Sequence, residues 1–103
     1  MVMTQISKYP LHKEIEERML EIFFDSVVMV QTRSQVQKLL DDWISPTEKI
    51  MLGKRLMTAI LLEKGYSYTQ IGRVLKLTAG TINVVRRELD KGGEGYRIIV
   101  KLL

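Results

Sequence analysis

The chain has 103 residues, enough for one domain with a buried core, and 46% of them are hydrophobic. It holds no cysteine and one histidine, His12, which excludes a disulfide framework, thiolate chemistry and a multi-histidine metal site, so neither metal nor cofactor is expected. The net charge of +4 is uneven: residues 1–42 carry five Lys or Arg against seven Asp or Glu, a net of −2, and residues 43–103 carry eleven against five, a net of +6.

Helical spacing recurs along the whole chain, and no stretch alternates with the period of a strand. Pro10 suits a first helical turn. Beyond it, Ile15, Met19, Ile22, Phe23, Val27 and Val30 form one apolar stripe, which Phe24, Val28 and Met29 widen past a single face. A helix that apolar needs cover on most sides, and a second copy of the chain is the expected cover. Thr32-Arg33-Ser34-Gln35 reads as a capping box opening a short helix that ends at Trp43. Ser45-Pro46-Thr47-Glu48 opens a longer one, and Ser67-Tyr68-Thr69-Gln70 a third. Gly65 is placed to end the helix begun at Pro46, and Gly92-Gly93 to end a further one. Residues 96–103 form an amphipathic tail. The expectation is an all-α chain of six helices in one domain, 1–103, with dimerisation helices over residues 10–44. Trp43 is expected in the core, Leu52, Leu56 and Ile60 in a dimer core, and Gly53 at a close helix approach.

Residues 68–89, YTQIGRVLKLTAGTINVVRREL, have the spacing of a helix-turn-helix. Counted from Tyr68, the fourth, eighth, tenth, fifteenth and eighteenth positions should be apolar; they are Ile71, Leu75, Leu77, Ile82 and Val85. The fifth should be small, and it is Gly72. The ninth, the usual glycine of the turn, is Lys76. The first helix is then 68–75 and the second, capped by Thr78, is 79–90. The N-terminal end of the second enters the major groove in this motif. The residues expected to face the bases are Thr78, Ala79, Gly80, Asn83, Val84 and Arg87. Asn83 has the amide for an adenine edge, and Arg87 suits a guanine or a phosphate. Arg73, Lys76, Arg86 and Lys91 ring this face and suit phosphates, so double-stranded DNA is the expected partner.

The stretch from Leu39 to Leu103 resembles the Trp repressor superfamily, and within it the YerC/YecD branch. The resemblance rests on the acidic pair Asp41-Asp42 before a capped helix and on Lys54-Arg55-Leu56. It rests equally on Gly65-Tyr66-Ser67-Tyr68 leading into the motif and on Gly95-Tyr96-Arg97 in the last helix. It covers about residues 30–103, the first helix matching only in type. It implies a six-helix subunit, an intertwined homodimer sharing its N-terminal helices, and two recognition helices reading half-sites about one turn apart. It also implies an effector pocket. There Arg55 matches one of two arginines that hold tryptophan, Thr81 is kept, and Ser45 replaces a threonine. Val84 replaces the second arginine, and Val85 replaces the glycine that leaves room for the indole. Tryptophan is therefore not expected to bind, and any other small effector is left unidentified. The recognition helix, Thr78-Ala79-Gly80-Thr81-Ile82-Asn83-Val84, departs from the Ser-Arg pattern of the branch. Gly80 weakens that helix by about 1 kcal/mol relative to alanine.

The function expected is sequence-specific DNA binding by a dimeric regulator, a repressor by resemblance. The alternative is a motif turned to binding a protein partner, without sequence-specific DNA recognition. Catalysis is not expected: Glu16-Glu17 and Asp41-Asp42 are neighbours in sequence and diverge around a helix, and His12 reads as an exposed side chain. No apolar run approaches the roughly 18 residues that cross a bilayer. Residues 1–10 lack the apolar stretch of a signal peptide, so a cytoplasmic place and no membrane partner are expected.

Overall fold

Caps set the helix starts. The structure, a computed structural model, describes residues 11–103. These residues form six helices and no strand: α1 Lys13–Met29, α2 Arg33–Trp43, α3 Pro46–Glu63, α4 Tyr68–Leu75, α5 Ala79–Asp90 and α6 Glu94–Leu102. The all-α, six-helix expectation holds. All three capping boxes form. The Thr32 hydroxyl accepts from the Gln35 N–H at 3.1 Å while Gln35 Oε1 accepts from the Thr32 N–H at 3.3 Å. Ser45 and Glu48 exchange the same pair at 3.2 and 3.3 Å, and Ser67 and Gln70 do so at 3.1 and 2.9 Å. Each box satisfies backbone donors that the first helical turn leaves over.

The ends of α3 and α5 are set by glycines. Gly65, at φ 88°, lets the Tyr66 N–H reach the Leu61 carbonyl at 3.0 Å and the Gly65 N–H reach Leu62 at 3.0 Å. That pair of bonds is a Schellman close. Gly93, at φ 58°, precedes α6, and a Cβ there would meet the Leu89 Cα at 2.8 Å.

By contacts the chain divides into residues 1–49 and 50–103, the boundary falling inside α3. In the first unit, Phe23 stacks on Trp43 with ring centroids 5.2 Å apart, and on Phe24 edge-on at 5.6 Å. Lys49 pairs with Asp41. No residue of α1 or α2 is buried. Phe24 is 60% exposed and Val28 80%. Trp43, expected in the core, is 43% exposed instead. The physical reason is that the stack on Phe23 covers one face of the indole and leaves the other open.

The second unit has a true core. Ala59, Leu62, Ile71, Ile82, Val85 and Leu89 pack together, with Tyr68, Leu75, Leu77 and Tyr96 half-buried around them. Burying an aliphatic side chain of this size contributes roughly 1.5–3 kcal/mol. Arg97 fastens α6 to this core. Its guanidinium donates to the carbonyls of Leu89, at 3.0 Å, and Gly92, and reaches Glu63 at 3.5 Å.

Several expectations shift. α1 begins at Lys13, and Pro10 lies outside the described residues, as does the first position of the expected dimerisation region. The tail helix begins at Glu94, two residues ahead of the expected Tyr96. Ile60 is buried within its own unit, while Leu52 is exposed and Leu56 half-buried. Gly53 has no described atom within 4 Å of the position of a Cβ.

Candidate nucleic-acid interface

The motif takes the predicted register. α4 and α5 span 68–75 and 79–90, and they pack on each other. Ile71, Ile82 and Val85 are buried and Leu75 and Leu77 half-buried, so all five apolar positions turn inward. At Gly72 a Cβ would lie 2.8 Å from the Leu77 carbonyl oxygen and 3.7 Å from Ile82 Cδ1. The small residue is thus demanded first by the turn and only second by the packing of α5. Lys76, the departure from the usual glycine, has φ 56° and ψ 53° and is the one described non-glycine residue at positive φ. The turn needs a left-handed residue, and a lysine supplies it at some cost in strain.

Thr78 starts α5: its hydroxyl accepts from the Thr81 N–H at 3.2 Å and lies 3.1 Å from the Thr81 hydroxyl. Its oxygen is therefore engaged in the cap. Ala79, Gly80, Asn83, Val84 and Arg87 are exposed, and nothing but the Thr78 hydroxyl, at 3.8 Å, stands near a Cβ on Gly80. Arg73, Lys76 and Lys91 are exposed too. Among the described residues none of these three, nor Arg87, forms an ion pair. Arg86 differs: its Nε and Nη2 both donate to Asp90 Oδ1, at 3.2 and 2.9 Å, one turn along the same helix. Two of its five N–H donors are spent on Asp90, whose charge also partly offsets its own.

Two pairings in this unit have no trace in the linear sequence. The Tyr68 hydroxyl donates to Asn83 Oδ1 at 3.1 Å, joining the first turn of α4 to the exposed face of α5. Arg55 Nη2 donates to Glu88 Oε1 at 2.6 Å, joining α3 to α5. Hydrogen bonding to Glu88 is the main cause that raises the Arg55 pKa above the usual guanidinium value, against a smaller opposing effect of burial.

A cavity of about 280 Å³ opens beside this ion pair, lined by Met51, Lys54, Arg55, Thr58, Leu77, Thr81, Val84 and Val85. The Thr58 hydroxyl inside it is spent on the Lys54 carbonyl at 2.7 Å. Of the three residues expected in an effector pocket, Arg55 and Thr81 line this cavity. Ser45 does not, and its hydroxyl donates to Glu48 Oε1 at 2.8 Å in the α3 cap. Val84, expected to face bases, also lines the cavity, while remaining 43% exposed. No group of three or more His, Cys, Asp or Glu able to hold a metal occurs among the described residues, and no described helix is long and apolar enough to cross a membrane.

A family model described as Trp repressor protein matches residues 18–103, reaching well into α1. No curated protein and no solved structure matches the chain.

Proposed function

The chain belongs to the Trp repressor family, a family of DNA-binding regulators, and on that premise we propose that it binds duplex DNA sequence-specifically as a homodimer. The single observation that carries this is the exposed face of α5. Its first turns present Ala79, Gly80 and Asn83, small or amide-bearing residues that allow close approach to base edges. Arg73, Lys76, Arg87 and Lys91 stand around them without a carboxylate partner among the described residues. Unpaired cations around a face that admits close approach suit a polyanion with readable grooves. The protein-partner reading would favour an apolar α5 face, and Val84 is the one large apolar side chain there.

The homodimer is supported by α1. A helix with Ile15, Met19, Phe23 and Phe24 all exposed leaves more apolar surface open than a monomer sustains. We place the protein in the YerC/YecD branch, acting in the cytoplasm as a repressor that does not respond to tryptophan. The missing response follows from chemistry: the guanidinium that would take the ligand's carboxylate is held by Glu88, and Val84 brings no second one.

The test is selection from a randomised duplex pool at two salt concentrations, with sedimentation of the free protein. Enrichment of a near-palindrome, weakened steeply by salt as counterions are released, is the expected result. Absence of duplex binding at low salt overturns the reading in favour of a protein-interaction module. A monomer at all concentrations overturns the dimer.

A further inference from the structure

The tie between Tyr68 and Asn83 bears on which base is read, granted the reading above that the exposed face of α5 meets the groove. A free asparagine reads adenine with both ends of its carboxamide, the oxygen accepting from N6 and the nitrogen donating to N7. Both ends must then face one base. In this chain the oxygen is turned back across the motif to the Tyr68 hydroxyl, 3.1 Å away. The nitrogen, on the other arm of the planar carboxamide, is left without a hydrogen-bond partner among the described residues. Tyr68 is itself held, being half-buried against the core of Ile71, Ile82 and Val85. Asn83 is exposed, and Tyr68 is its one hydrogen-bond partner among the described side chains.

We propose that Tyr68 is a positioning residue that sets base preference: it fixes the Asn83 carboxamide as a hydrogen-bond donor, which selects the acceptor edge of guanine, O6 and N7, over adenine. Guanine presents two acceptors in the major groove and adenine one acceptor beside a donor. A fixed NH2 group matches the first pattern, and meets the adenine N6 donor with its own hydrogens. The inference rests on Asn83 reaching a base edge, which the proposed function supplies.

The experiment is site selection with the full chain, comparing wild type, Tyr68→Phe, Asn83→Ala and the double variant. Phenylalanine keeps the ring in the core and removes only the hydroxyl, so the variant is expected to fold as the wild type does. The wild type should enrich guanine at one position of each half-site. Tyr68→Phe frees the amide and should move that position toward adenine by about tenfold, the scale of one good base contact. Asn83→Ala should erase the preference in either background. A Tyr68→Phe variant that selects the same base as the wild type overturns this inference and leaves the DNA-binding reading standing. So does a base preference that survives Asn83→Ala. A wild type that binds no duplex at low salt overturns both. In the free protein, the side-chain amide signals of Asn83 in NMR should sharpen toward a mobile group in Tyr68→Phe; identical signals in the two proteins overturn the tie without reference to DNA.

Discussion

Arg55 and Glu88 meet at 2.6 Å, a bond between the long helix α3 and helix α5. Their side chains are 41% and 37% exposed, so solvent screens the pair and its direct contribution to stability is modest. Its geometric effect is larger. It fixes the far end of α5 against α3, while Thr78 fixes the near end and Val85 and Leu89 fix the middle. The orientation of α5 against α3 thus depends in part on a carboxylate of α5 itself.

Glu88→Gln is expected to lower unfolding stability by about 1 kcal/mol or less, as for other half-exposed pairs. Denaturant titration measures it. In the wild type, millimolar tryptophan should leave both the melting temperature and DNA affinity unchanged, because a ligand that binds the folded state must raise the first. A clear upward shift with tryptophan would show that the folded chain binds it and would overturn the expectation.

Gly72→Ala should destabilise the motif by about 1–3 kcal/mol, the usual cost of forcing an extra carbon into packed structure. The added Cβ would sit 2.8 Å from the Leu77 carbonyl, a backbone atom that can move only if the turn opens. Thermal unfolding is the measurement, and a change near zero would mean that the turn relaxes freely.

Lys76→Gly separates two roles of one residue. Relief of the left-handed conformation is expected to stabilise the fold by about 1 kcal/mol. Loss of the cation should weaken DNA binding and reduce the slope of log affinity against log salt by about 1, the value of one phosphate contact. A stabilised variant with an unchanged slope would place Lys76 away from the DNA.

The helix starts and the motif register were legible because both are local. A capping box needs four consecutive residues, and the inward positions of α4 and α5 lie within 22 residues of one another. The ties of Tyr68 to Asn83 and of Arg55 to Glu88 span 15 and 33 residues. They depend on how two helices cross, which no local pattern encodes. Trp43 and Gly53 show a related limit: within the single chain Trp43 stays 43% exposed and nothing lies within 4 Å of a Cβ on Gly53. An apolar or small residue says that close packing is tolerated at a position, and the neighbours present decide whether it occurs.

The α3 cap should give the protein an acid-sensitive step. The hydrogen bond from Ser45 is the main cause that holds the Glu48 pKa below its ordinary value. A depressed folded-state pKa means stability that is present above the unfolded value of about 4.3 and lost as pH falls through the folded one. Glu48→Gln keeps the reach of the box, as Gln35 and Gln70 do in the other two, and removes the titration. Melting temperature against pH should therefore fall less steeply below about pH 4.3 in the variant than in the wild type. Parallel curves would show that the cap does not respond to acid.

The exposed apolar face of α1 also bears on abundance. With Phe24 at 60% and Met29 at 73% exposure, an isolated chain is a poor resting state, and assembly of the proposed homodimer would be inseparable from completing the fold. Pairing is second order in the chain. While free chains predominate, doubling expression then raises the assembled form about fourfold. In that regime halving the amount of chain lowers the assembled form about fourfold, whereas weakening its affinity for a partner lowers occupancy only in proportion.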